Sequence, residues 1–120
     1  MNNGRIVVLG NGQLGTALAA LGDPAIRVFD RAILDLGDAG AIEPALAAAR
    51  PELVINAAAY NKVDEAERRP DLAFTINAIA PGAIACACAA IGARIIHVST
   101  DYVFDGALGR PYLEDDLPAP

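Results

Sequence analysis

Gly10-Asn11-Gly12-Gln13-Leu14-Gly15 sets three glycines at the spacing G-x-G-x-x-G, and the chemistry that spacing serves is the holding of a pyrophosphate. Glycine allows the sharp turn, the close approach of phosphate to main chain and the tight packing of helix on strand, while the helix amino end faces the phosphates. The surroundings fit. A short apolar run, Arg5 to Leu9, precedes the motif, and Leu14, Leu18 and Leu21 follow at helical spacing. Asp30 lies 20 positions after Gly10, at the end of the next apolar run, where a dinucleotide site places the carboxylate that binds ribose. Arg31, directly after it, offers a cation to a 2′-phosphate, so NADP and NAD both remain open as ligands. Without a ligand the same residues would be a glycine-rich turn and an exposed arginine.

Two further groups sit at the carboxyl ends of apolar runs. Asn56-Ala57-Ala58-Ala59-Tyr60 follows Leu53 to Ile55, and its small side chains leave room for a cofactor to lie across a sheet where strand order reverses. Ser99-Thr100-Asp101-Tyr102-Val103-Phe104-Asp105-Gly106 follows Arg94 to Val98. Its hydroxyls and carboxylate suit a substrate carbonyl, and they equally suit ordinary loop turns. His97, alone within a strand-like run, reads as structural. Cys86 and Cys88 are two apart in an alanine-rich stretch read as helical, where such side chains do not face each other, so they read as buried reduced thiols. Glu114-Asp115-Asp116 reads as a solvated loop. No set of His, Cys and Asp has metal-ligand spacing, so no metal is expected.

The elements that position these residues alternate between strand and helix. Strands are expected at 5–9, 25–29, 53–56 and 94–99, with a brief one at 34–36. Helices are expected at 12–21, at 38–49 capped by Asp38 and stopped by Pro51, at 63–69, and at 71–91 with a kink at Pro81 and an end at Gly92. Such alternation implies an α/β fold with right-handed crossovers: a Rossmann-like, doubly wound parallel sheet of three αβα layers with about five strands. With 120 residues, 54% of them hydrophobic, and a mean hydropathy of +0.35, one domain over 1–120 can bury a core. The net charge of −6 disfavours nucleic acid as a partner. No apolar run is read as reaching the roughly 18–20 residues of a membrane span, and no signal peptide is evident, so a cytoplasmic location away from membranes is expected.

In combination these residues resemble a known family. Gly12-Gln13-Leu14-Gly15, Val54 to Tyr60 with Val63-Asp64 and Ala66-Glu67, His97 to Gly106, and Pro111-Tyr112 with Glu114 and Asp116 closely resemble dTDP-4-dehydrorhamnose reductase, of the extended short-chain dehydrogenases. The resemblance runs through essentially the whole chain. It implies NAD(P)H-dependent reduction of dTDP-4-dehydro-L-rhamnose to dTDP-L-rhamnose, with a nucleotide sugar as substrate and NADP or NAD as cofactor. It implies that Gly10, Gly12, Gln13, Leu14 and Gly15 hold the pyrophosphate, Asp30 and Arg31 the adenosine ribose, and Asp35 and Leu36 the adenine. Ala57, Ala58 and Tyr60 would line the cofactor cleft. Thr100 would polarise the substrate carbonyl, with Asp101 and Tyr102 beside it.

The chain departs from the family in two places. Its glycine loop is one residue shorter than the family's G-x-x-G-x-x-G. The family's catalytic Tyr-x-x-x-Lys pair is not among these residues, because Lys62 is the only lysine and Ala58 stands four positions before it. The chain is therefore read as the amino-terminal cofactor-binding part, with later strands and the sugar-nucleotide domain absent, and as inactive alone. The alternatives are a non-catalytic nucleotide-binding or regulatory module, and a related sugar-nucleotide reductase or epimerase. An exposed sheet edge is expected to favour self-association, as a homodimer or otherwise.

Overall fold

The computed structural model describes residues 5–120. Its apolar runs form four parallel strands: β1 (Ile6–Leu9), β2 (Ile26–Phe29), β3 (Leu53–Asn56) and β4 (Arg94–His97), in the order β2-β1-β3-β4. The register pairs Leu9 with Phe29 on one side and with Asn56 on the other, and Asn56 with His97. The chain therefore leaves β1 in one direction to reach β2, then crosses back over β1 to reach β3. The β1–β3 boundary is where strand order reverses, and open α/β sheets bind ligands in the crevice at the carboxyl ends of such a boundary.

Strand alternation divides the side chains between two faces. Val7, Leu9, Phe29 and Val54 join Leu34, Leu36, Ile42, Leu46, Ala80, Ile84, Ala87 and Cys88 in one core beneath α2 (Ile42–Ala49) and α5 (Ala80–Ile91). Val8 faces the other way and is fully buried, on the side where α1 (Gln13–Ala19) lies against Val28. Helices thus cover both faces, giving the three-layer Rossmann-like architecture. Beyond α1 the second face is thin: Ile96 on the edge strand β4 is half exposed.

Among the described residues four strands form where about five were expected. Leu34 and Leu36 are buried as expected of a strand, but they pair with no neighbour. The segment is a pair of aspartate turns instead: Asp30 Oδ1 accepts from the Ile33 N–H and Asp35 Oδ1 from the Gly37 N–H. Side-chain acceptors compete with the sheet ladder for these backbone donors. Asp38 does cap, though what it caps is a 3-10 turn, Ala39–Ala41, that leads into α2.

The long helix also differs in detail. After α3 (Val63–Arg68), α4 (Pro70–Phe74) passes through a π-helical turn, Thr75–Ile79, into α5. Pro81 explains the irregularity. It has no N–H for the carbonyl of Asn77, and just before it the Ala80 N–H reaches back five residues to the Thr75 carbonyl. Taken as one element, Pro70–Ile91 spans 22 residues with a mean hydropathy of 1.8 over its most apolar stretch, long and apolar enough to cross a membrane by length and composition. This corrects the expectation from sequence that no apolar run reaches the length of a membrane span. Core helices of sheet proteins pass the same test, and here Ala80, Ile84, Ala87 and Cys88 pack into the core. Cys88 is buried and its thiol is pushed up by desolvation, whereas Cys86 is exposed, contrary to expectation.

Candidate functional site

The carboxyl ends of β1, β2 and β3 open into one cleft of about 790 Å³, within the size range of small-molecule sites. Its floor is the glycine turn. Gly10 has φ +99°, its N–H donates to the Phe29 carbonyl at 3.0 Å, and a Cβ there would meet Ala58 Cα at 2.9 Å. Gly15 is buried in α1, where a Cβ would stand 1.9 Å from the Gly10 carbonyl oxygen. Both positions therefore exclude any side chain. Gly12, which begins α1, is different: a Cβ there would meet nothing within 4 Å. It borders open cleft, as do Asn11, Gln13 and Leu14.

The wall on the β2 side is built by Phe29, Arg31, Leu34, Asp35 and Leu36. Arg31 is 80% exposed and its Nε stands 3.5 Å from Asp35 Oδ2, a surface pair of small energetic weight. Asp30 is not part of this lining, and one of its carboxylate oxygens is committed to the Ile33 N–H. On this wall, then, the charged groups that line the cleft are Arg31 and the Asp35 carboxylate paired with it, and not Asp30.

The β3 wall is residues 57–62, joined by Ile76 from the π-helical turn. The Ala57 N–H donates to the Leu9 carbonyl at 3.0 Å, so this wall begins as a continuation of the strand. Asn56 is fully buried, and its Oδ1 accepts from the Ala58 N–H at 3.2 Å. Its Nδ2 therefore points to His97 Nδ1, at 3.1 Å, and makes that ring nitrogen the acceptor. His97 thus satisfies a buried amide, which is the structural role expected of it. Asn77 holds the far end of the wall: the Tyr60 N–H donates to its Oδ1 at 2.8 Å, and its Nδ2 donates to the Tyr60 carbonyl at 3.0 Å. The Tyr60 hydroxyl is enclosed without a well-formed hydrogen bond. The Glu65 carboxylate it faces, and then burial, hold the phenol above its ordinary range, while Glu65 is held below its own. Tyr60 lines the cleft at this end of the wall.

Gly10, Gly12, Gln13, Leu14, Arg31, Asp35, Leu36, Ala57, Ala58 and Tyr60 are thus brought together around one space. Thr100, Asp101 and Tyr102 are not part of that lining. They form the start of a 3-10 turn after β4, in which Thr100 Oγ1 accepts from the Tyr102 N–H at 3.2 Å and donates to Asp101 Oδ1 at 3.3 Å. The loop beyond is more ordered than its composition suggests. Phe104 stacks on Tyr112 at 4.1 Å, the Tyr112 hydroxyl donates to Asp105, and Arg110 grips Asp116 through two nitrogens at 2.8 Å. Asp116 is held below the usual carboxylate range by Arg110, and Asp105 by the Ala107 N–H and then Tyr112. Asp116 is therefore a structural anchor and not part of a solvated acidic run.

Comparison with known proteins gives a consistent result. The family model described as the RmlD substrate binding domain matches residues 4–120. A dTDP-4-dehydrorhamnose reductase of Streptomyces griseus is 43% identical over 118 residues, 96% of this chain and 39% of the relative. The crystal structure of dTDP-4-dehydrorhamnose reductase from Bacillus anthracis in complex with NADP superposes with a TM-score of 0.88 at 39% identity, covering 96% of this chain and 43% of that one. An orthologue from Clostridium acetobutylicum superposes with a TM-score of 0.89 at 38% identity, covering 96% and 42%. The chain thus spans about two fifths of the length of these relatives.

Proposed function

The chain belongs to the RmlD family of dTDP-4-dehydrorhamnose reductases, and from that membership we propose that its cleft binds NADPH in preference to NADH. The whole reaction we assign to it, as the coenzyme-binding part, is reduction of dTDP-4-dehydro-L-rhamnose to dTDP-L-rhamnose. One observation carries the coenzyme reading: a glycine turn that a Cβ would block at both Gly10 and Gly15 lies at the floor of a cleft at the point of strand reversal. That cradle fits a pyrophosphate laid against backbone.

Within this reading the chain's own residues divide the work. Gly10, Gly12, Gln13 and Leu14 would receive the pyrophosphate, and Ala57 and Ala58 would admit the coenzyme by being small. Arg31 would meet the 2′-phosphate, which is the ground for preferring NADPH. When bound, the coenzyme supplies a hydride to a carbonyl carbon. Thr100 would turn its hydroxyl from Asp101 to the carbonyl oxygen of the substrate. The pair Tyr-x-x-x-Lys is not among these residues, so we assign the chain coenzyme binding without turnover on its own.

Titration of NADPH into the chain, followed by nicotinamide emission, tests this. We expect saturable binding, tighter than that of NADH. Absence of saturation at about 1 mM NADPH, a binding energy near 4 kcal/mol, would overturn the proposal.

A further inference from the structure

The charges that line the cleft are few. Among its lining residues only Arg31, Asp35 and Lys62 are ionised side chains, and Arg31 is paired with Asp35 on the β2 wall. The glycine turn, residues 10–15, carries no charge of its own. A pyrophosphate laid on it would find main-chain N–H donors but no countercharge. Lys62, the only lysine of the chain, stands on the β3 wall. That wall runs beside the turn, since a Cβ at Gly10 would meet the Ala58 Cα at 2.9 Å. Lys62 follows four residues later and lines the same space as Gly12 and Gln13. Its ammonium is free to change partners. Nζ stands 3.5 Å from Glu65 Oε2 and the side chain is 74% exposed, a surface pair that a phosphate can displace at small cost.

We propose that Lys62 is a coenzyme-binding residue that pairs with the pyrophosphate, an inference that rests on the coenzyme reading above. In that reading Arg31 is taken by the 2′-phosphate, so the countercharge to the pyrophosphate falls to the one other cation in the lining. An ammonium is a compact charge on a flexible stem, suited to a phosphate that main chain has already placed. The two cations then read different parts of the ligand. Arg31 separates NADPH from NADH, whereas Lys62 serves both, because both carry the pyrophosphate.

Three ligands on one chain test this: NADPH, NADH and adenosine 2′-monophosphate, which has the 2′-phosphate without the pyrophosphate. In Lys62→Gln the dissociation constants of NADPH and NADH should both rise about tenfold, the scale of one charge-assisted hydrogen bond, while that of adenosine 2′-monophosphate stays within about twofold. Added salt should weaken NADH binding less in this variant than in the wild type. Lys62→Arg keeps the cation and should bind both coenzymes within about threefold of the wild type, which separates a lost charge from a disturbed fold. Unchanged NADH binding in Lys62→Gln, an equal loss at adenosine 2′-monophosphate, or no recovery in Lys62→Arg overturns the proposal. A wild-type chain that binds no NADPH overturns the coenzyme reading, and this inference with it.

Discussion

Gly15→Ala should destabilise the chain by about 3 kcal/mol or more and abolish NADPH binding, because its methyl group would stand 1.9 Å from the Gly10 carbonyl oxygen and 2.8 Å from the Gly10 carbonyl carbon. Both atoms are main chain. A flexible side chain could swing away from such an intrusion, but Gly10 is tied to Phe29 by its N–H and pressed against Ala58 on its other side. Relief requires moving α1 off the sheet, which uncovers Val8 and Val28. Against a typical domain stability of about 5–15 kcal/mol, a loss of this size lowers the thermal midpoint by about 10 °C or more. Gly12→Ala is the control. Its methyl would meet nothing within 4 Å, so stability should fall by only about 1 kcal/mol, the scale of a lost helix cap, while NADPH binding suffers from a group placed in the pyrophosphate's space. Thermal melts and coenzyme titrations of the two variants should therefore separate. Similar melts for both would mean that the helix does not pack on the turn as described.

The second large effect concerns coenzyme choice. Arg31→Ala should weaken NADPH binding by about tenfold to a hundredfold, the 1.5–3 kcal/mol of charge-assisted hydrogen bonds to a phosphate, and change NADH binding little. The fold should tolerate the change, since the side chain is 80% exposed and its pair with Asp35 is a surface contact. Asp30, the more obvious ribose ligand from its spacing, lies outside the cleft lining, with one carboxylate oxygen bonded to the Ile33 N–H. Parallel losses for NADPH and NADH would show that Arg31 does not read the 2′-phosphate.

How much of this was legible in the sequence depended on the range of the interaction. The four strands are short apolar runs ended by turn residues, a local signal, and the glycine turn declares itself through spacing alone. Leu34-Asp35-Leu36 misled because alternation marks a buried face but does not say what bonds the backbone, and here aspartate side chains do. The π-helical turn was visible only as the proline that follows it. Asn77 left no readable mark: an asparagine in an apolar helix becomes a clamp only because the fold brings it to Tyr60, 17 residues away along the chain. The roles of Asn56 and His97 likewise come from register, which pairs them across β3 and β4.

The central claim is that the cleft between the glycine turn and residues 57–60 holds the coenzyme. Its most direct test is to follow the backbone amide resonances of the isotopically labelled chain while NADPH is added. The account predicts saturable shifts at Gly12, Gln13, Leu14, Ala57 and Ala58, with Arg31 responding to NADPH and not to NADH. Shifts confined to other surfaces, or none at those five amides at saturating NADPH, would contradict it.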